Sequence, residues 1–110
     1  MSTDSIRNPY LPTPMHVLHA YYESTDRTLK TLELSFDNPQ DSAAFFRKFN
    51  PGQFCQLSVF GKGESPIGVA SAAWEGDFVR FTVQKMGAVT KALHKLQPGD
   101  PIGMRGPLGN

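Results

Sequence analysis

From residue 78 to residue 84 apolar and polar side chains alternate without a break. Val79, Phe81 and Val83 fall on one side, and Arg80, Thr82 and Gln84 on the other. That is the period-two pattern of a strand with one face in a core. The same rhythm places Leu32, Leu34 and Phe36 opposite Thr31, Glu33 and Ser35, predicting a strand over residues 28–36 with one wet face. Residues 15–22 have strand composition, and the turn formers Glu23 to Arg27 join them to residues 28–36 as a hairpin. After the turn Pro51-Gly52, residues 53–60 put Cys55, Leu57 and Val59 on one face. Residues 61–64 read as a loop, residues 66–71 as a strand of small residues, and residues 101–105 as a last strand before turn-forming residues 106–110. Two stretches change period. Asp41 or Ser42 is placed to cap a short helix through Ala43 to Phe46, and after Gly87 the spacing of Val89, Leu93 and Leu96 marks a helix before Pro98-Gly99-Asp100. The architecture expected is all-β: a six-stranded antiparallel barrel with one short helix between its last two strands. Residues 1–14, with Asn8-Pro9 and Pro12-Thr13-Pro14, read as an extended arm, and residues 15–110 as the barrel domain.

Composition narrows the partners. With 11 basic residues against 10 acids in 110, the chain has no global attraction for nucleic acid or for an anionic membrane. An oligonucleotide-binding barrel would interleave aromatic and basic residues on one strand face. Only Arg80 lies beside aromatics, Phe78 and Phe81, and these alternate to opposite faces. The single cysteine, Cys55, has no internal partner and sits among apolar strand residues, which predicts a buried, inert thiol in a reducing, cytoplasmic setting. There is no run of 18 apolar residues and no basic-then-apolar leader pattern. His16 and His19, three apart on a strand, should point to opposite faces, and His94 lies on the helix, so no metal site is expected. Trp74, beside a turn, is expected to cap the barrel.

The stretch with the most chemistry runs from Val83 through Gly87 to Leu93. A strand passing through a glycine into a helix leaves about four N–H groups unpaired at a weakly positive helix start, a place that suits a phosphate. Thr90 offers a hydroxyl, and Lys85 and Lys91 offer charge. No acid stands between Asp77 and Asp100, whereas Arg80, Lys85, Lys91 and Lys95 do. The same pattern is also a common structural unit without a ligand. Residues 66–70 leave room for a flat body to lie against the backbone, or they form an ordinary edge strand.

In order along the chain stand Pro51-Gly52-Gln53-Phe54, Pro66-Ile67-Gly68-Val69, Gly87-Ala88-Val89-Thr90, Pro98-Gly99-Asp100 and Gly106-Pro107-Leu108-Gly109-Asn110. This ordered set resembles the FAD domain of the ferredoxin–NADP reductase superfamily. It is most similar to the flavin- and NAD-binding gamma subunits of cytosolic hydrogenases and anaerobic sulfite reductase, and to the dihydroorotate dehydrogenase electron-transfer subunit. The resemblance runs over roughly residues 8–110 and implies a Greek-key barrel that holds FAD. It places the isoalloxazine and ribityl chain against Pro66, Ile67, Gly68, Val69 and Ala70. It places the pyrophosphate at the helix start, with Val83, Lys85, Gly87, Ala88, Val89 and Thr90. The superfamily's flavin motif is Arg, any residue, an aromatic, then Ser or Thr; here Ser65, Ile67 and Gly68 stand at the arginine, aromatic and hydroxyl positions. In relatives, the segment similar to residues 106–110 leads into a nucleotide-binding domain and often a four-cysteine iron–sulfur segment. Neither occurs in these 110 residues. The resemblance therefore implies an electron-transfer oxidoreductase whose NAD(P)-binding domain or subunit and iron–sulfur partner are supplied elsewhere, and a chain inactive alone. The alternative from another class is a cofactor-free barrel serving as an interaction module.

Overall fold

The computed structural model describes residues 11–73 and 77–109. Most of the expected arm and Trp74 lie outside them, as does Asn110. Strands β1 (Thr13–Tyr22), β2 (Leu29–Phe36), β3 (Phe54–Val59), β4 (Gly63–Ala73), β5 (Phe78–Gln84) and β6 (Pro101–Leu108) form a closed barrel in the order β1-β2-β5-β4-β3-β6. Every neighbouring pair is antiparallel. The seam is the pairing of β1 with β6, from Thr13 opposite Met104 to His16 opposite Pro101. Inside lie Met15, Val17, Leu32, Leu34, Leu57, Val79, Phe81, Val83 and Met104, each at most 1% exposed. Burying one such side chain contributes about 1.5–3 kcal/mol, so the alternation read in β2, β3 and β5 is what drives closure.

Each end of the barrel carries a helix, the first of them longer than the short stretch expected through Ala43 to Phe46. Helix α1 (Pro39–Lys48) joins β2 to β3, and α2 (Ala88–His94) joins β5 to β6 at the opposite end. The N-cap of α1 is Asn38, ahead of Asp41 and Ser42; its side chain accepts from the Gln40 N–H at 3.0 Å and Pro39 opens the first turn. Phe45 then enters the core beside Phe36, Phe46 and Phe49, with ring centroids 5.3–5.6 Å from its own.

Four details depart from the sequence reading. β1 begins at Thr13, within the expected arm, and Pro14 pairs with Gly103 of β6. β4 begins at Gly63, because Gly61 and Gly63, at φ 80° and 98°, let the chain reverse within a tight turn that was read as a loop. β6 runs on through Gly106 and the cis Gly106–Pro107 bond to Leu108. The outer face of β2 is also drier than expected. Thr31 is fully buried there, its hydroxyl donating to the Glu23 carboxylate at 2.5 Å and lying 2.9 Å from the Thr82 hydroxyl.

Candidate functional site

Strand β4 alternates between two surfaces. Ile67 and Val69 turn inward and pack on the core, whereas Glu64, Pro66, Gly68 and Ala70 are exposed on the outer face. From Pro66 to Ala70 that face carries nothing larger than proline, and a Cβ built on Gly68 meets no atom within 4 Å. On the neighbouring β3, Phe54 stands opposite Gly68 and Gln56 opposite Pro66. The residues expected to hold a flavin thus divide. Pro66, Gly68 and Ala70 form an open strip, and Ile67 and Val69 support it from below.

Helix α2 packs against β3, β4 and β5. Its Val89 is half-buried and lies 3.6 Å from the place a Cβ would take on Gly63, so the helix start rests on the first residue of β4. The N-cap, Gly87, has no side chain, and the first helical bond runs from the Lys91 N–H to the Gly87 carbonyl at 2.9 Å. The N–H groups of Ala88, Val89 and Thr90 consequently lack partners within the helix. Thr90 serves differently from expectation. Its hydroxyl, 8% exposed, accepts from the Met86 and Gly87 N–H groups at 2.8 Å each and donates to the Gly87 carbonyl at 3.1 Å. It shapes the turn from inside and has no proton left to offer outward. Val83 turns into the core: its side chain is fully buried and its carbonyl oxygen lies 2.6 Å from His94 Nε2. Lys85 and Lys91 are exposed, and among the described residues neither forms an ion pair. Gly87 and Ala88 are exposed between them.

A groove of about 480 Å³ starts where the β4 strip ends, at Glu64. Pro12, Pro14, Phe60, Gly61 and Gly103 line it, with Phe60 wholly exposed at its lip. Its walls come from β1, β6 and the β3–β4 turn, a juxtaposition that only closure of the barrel creates and no local pattern announces.

The other candidates resolve as structure. Cys55 is fully buried, and burial pushes its thiol up to about 12. His16 and His19 share the outer face of β1, contrary to expectation, because a bulge between Val17 and His19 resets the alternation. His16 bonds Asp37 at 2.7 Å and His19 bonds Glu33 at 2.9 Å. Among the described residues no group of three metal-binding side chains gathers, and no helix is long and apolar enough to cross a membrane.

No protein-family model matches the chain. Sulfhydrogenase 1 subunit gamma of Pyrococcus furiosus is 38% identical over 103 residues, which is 94% of this chain and 34% of that protein. The dihydroorotate dehydrogenase B (NAD(+)) electron transfer subunit of Methanocaldococcus jannaschii is 43% identical over 61 residues, 56% of this chain and 21% of that one. Among solved structures, NADH-dependent reduced ferredoxin-NADP oxidoreductase, studied for flavin-based electron bifurcation, superposes with a TM-score of 0.71 at 26% identity over 86% of this chain and 32% of its own. A ferredoxin NADP+ reductase from Neisseria gonorrhoeae with bound FAD and NADP shares the fold at a TM-score of 0.68 and 23% identity, over 89% of this chain and 38% of its own. The chain is thus a homologue of the sulfhydrogenase gamma subunit over about a third of that protein's length and of the dihydroorotate dehydrogenase electron-transfer subunit over about a fifth, folded as the barrel of the ferredoxin–NADP reductases.

Proposed function

We propose that this chain is the FAD-binding barrel of an electron-transfer oxidoreductase that works between NAD(P)H and an iron–sulfur or other redox partner. The observation that carries the reading is the open strip Pro66, Gly68 and Ala70, on a barrel homologous over 103 residues to a hydrogenase gamma subunit. The residues present fit the group. A flat ring system needs a surface without projecting side chains, and Gly68 supplies one. A pyrophosphate needs donors and positive charge, and the exposed Gly87–Ala88 turn lies between Lys85 and Lys91 with no acid from residue 78 to residue 99. Bound FAD would supply hydride acceptance and one-electron delivery, which no side chain here can perform. The chain's own part is to hold and orient: β4 presents the backbone, Ile67 and Val69 keep the strand seated, and Thr90 fixes the turn from which α2 starts. Gly68 leaves the hydroxyl of the superfamily motif unreplaced, and with Ser65 in place of arginine this favours a second reading, a cofactor-free interaction barrel.

Titrating FAD into the folded chain while following its visible spectrum separates the two. Saturable binding is expected. Ala88→Glu puts a carboxylate among the amides that face the phosphates while leaving the helix comfortable, since an acid in the first turn complements the helix dipole. Affinity should fall at least roughly tenfold, the loss of one charge-assisted bond. A wild-type chain that leaves the bands of the added FAD unshifted leaves the interaction barrel standing.

A further inference from the structure

Among the described residues one lysine is taken inside the fold. Lys30 lies in phase with Leu32 and Leu34 on the inner face of β2 and is 8% exposed. Its Nζ donates to the carbonyl oxygens of His94 at 2.7 Å and Leu96 at 3.2 Å, beneath the Tyr22 ring at 5.0 Å. These carbonyls belong to the C-terminal end of α2. His94, 5% exposed, ties the same turn to β5 through Nε2 and the Val83 carbonyl at 2.6 Å, and its Nδ1 has no partner. A tie from β2 and a tie from β5 therefore converge on the last turn of a helix that is 7 residues long. So short a helix does not fix its own direction; its surroundings do.

A leucine or methionine in this phase would pack the core without desolvating a charge, the cheaper solution where stability alone is at stake. The ammonium does two things an apolar residue cannot. It satisfies two carbonyls that the helix leaves open, and it offsets the negative end of the helix dipole, leaving the positive end uncompensated beside Gly87. We infer that Lys30 is a positioning residue for the phosphate half of the flavin site: by pinning the last turn of α2 it sets where the first turn, Ala88 and Lys91 stand over the start of β4. This rests on the flavin reading above. It assigns to the molecule's interior a control over ligand choice, FAD against flavins that lack the diphosphate.

The test compares FAD with riboflavin, which keeps the ring and ribityl chain and carries no phosphate. Lys30→Met keeps the stem and removes both donors. It should weaken FAD binding about tenfold and riboflavin binding less than twofold, so that the ratio of the two dissociation constants collapses. A merely structural lysine would weaken both together, and an unchanged ratio in a variant that still melts cooperatively overturns the inference. Should Lys30→Met fail to fold, Lys30→Gln, which retains a donor for one carbonyl, carries the same comparison; the ratio should fall about threefold, and a wild-type ratio overturns the inference. Failure of the flavin reading looks different: the wild type itself then prefers FAD to riboflavin not at all, and the inference falls with it.

Discussion

Glu33 shows how one side chain stitches three strands. Its carboxylate, 12% exposed, receives His19 Nδ1 at 2.9 Å from β1 and Arg80 Nε at 2.8 Å from β5, and Arg80 reaches on to Ser71 of β4 at 3.0 Å. Burial alone would raise this carboxyl, but the hydrogen bonds from His19 and Arg80 outweigh it and hold the group below the ordinary glutamate value. A depressed folded value means that the unfolded chain takes up a proton first as pH falls. The contribution to stability is therefore complete above the usual carboxylate range and disappears as pH drops through the folded value. Glu33→Gln should lower the melting temperature at pH 7, and the gap to the wild type should close below roughly pH 4. Melting curves across that range decide it; a gap independent of pH would mean that packing, not charge, is what the glutamate supplies. At this scale the sequence was legible in part. The period of β2 placed Glu33 outward, yet the pairing of His19 with it depends on a bulge after Val17 that no residue type there announces. The inward phase of Lys30 was equally visible, but a charge in a core position gains meaning only once two helix carbonyls are seen to meet it.

Among the elements, β4 and β6 carry opposite glycine arguments. At Gly68 a side chain finds open space, whereas on β6 a Cβ at Gly106 would meet Cys55 Sγ at 2.9 Å, with φ at 146°. Gly68→Leu should leave the melting temperature nearly unchanged and abolish saturable FAD binding, because the new side chain stands on the strip. Gly106→Ala should do the reverse, costing stability through backbone strain and a crowded strand contact while sparing affinity in whatever fraction folds. Equal loss of stability from both would remove the distinction between an open face and a packed one. The elements most readable in advance were those with strict alternation, above all β5, whose bounds agree residue for residue. Helix α1 was half seen: the cap was expected at Asp41 or Ser42, whereas Asn38-Pro39 starts the helix three residues earlier. The start of α2 directly after Gly87 was read correctly. The role of Thr90 was not, because a hydroxyl pointing inward to its own turn and one pointing out to a ligand have the same sequence.

For the whole molecule, the chain accounts for 34% of the sulfhydrogenase subunit it matches, and hydride transfer depends on a nicotinamide held in line over a flavin. These 110 residues, even with FAD bound, should show no saturable oxidation of NADH or NADPH. Steady-state assays with an artificial acceptor check this, and turnover that saturates with nucleotide would reveal a nicotinamide site on the barrel itself, the groove beside Phe60 being the first place to look.

The seam between β1 and β6 has a kinetic side. Thr13 and Met104 are partners far apart in sequence, so the last wall of the barrel cannot form until β6 has been made, and the interval spent as an open, sticky sheet is set by the search for that distant strand. Barrels with such remote pairing fold in milliseconds to seconds, not microseconds. During synthesis β1 and β2 emerge long before β6 exists to cover them, and the exposed edge of β1 is then the segment most in need of a chaperone.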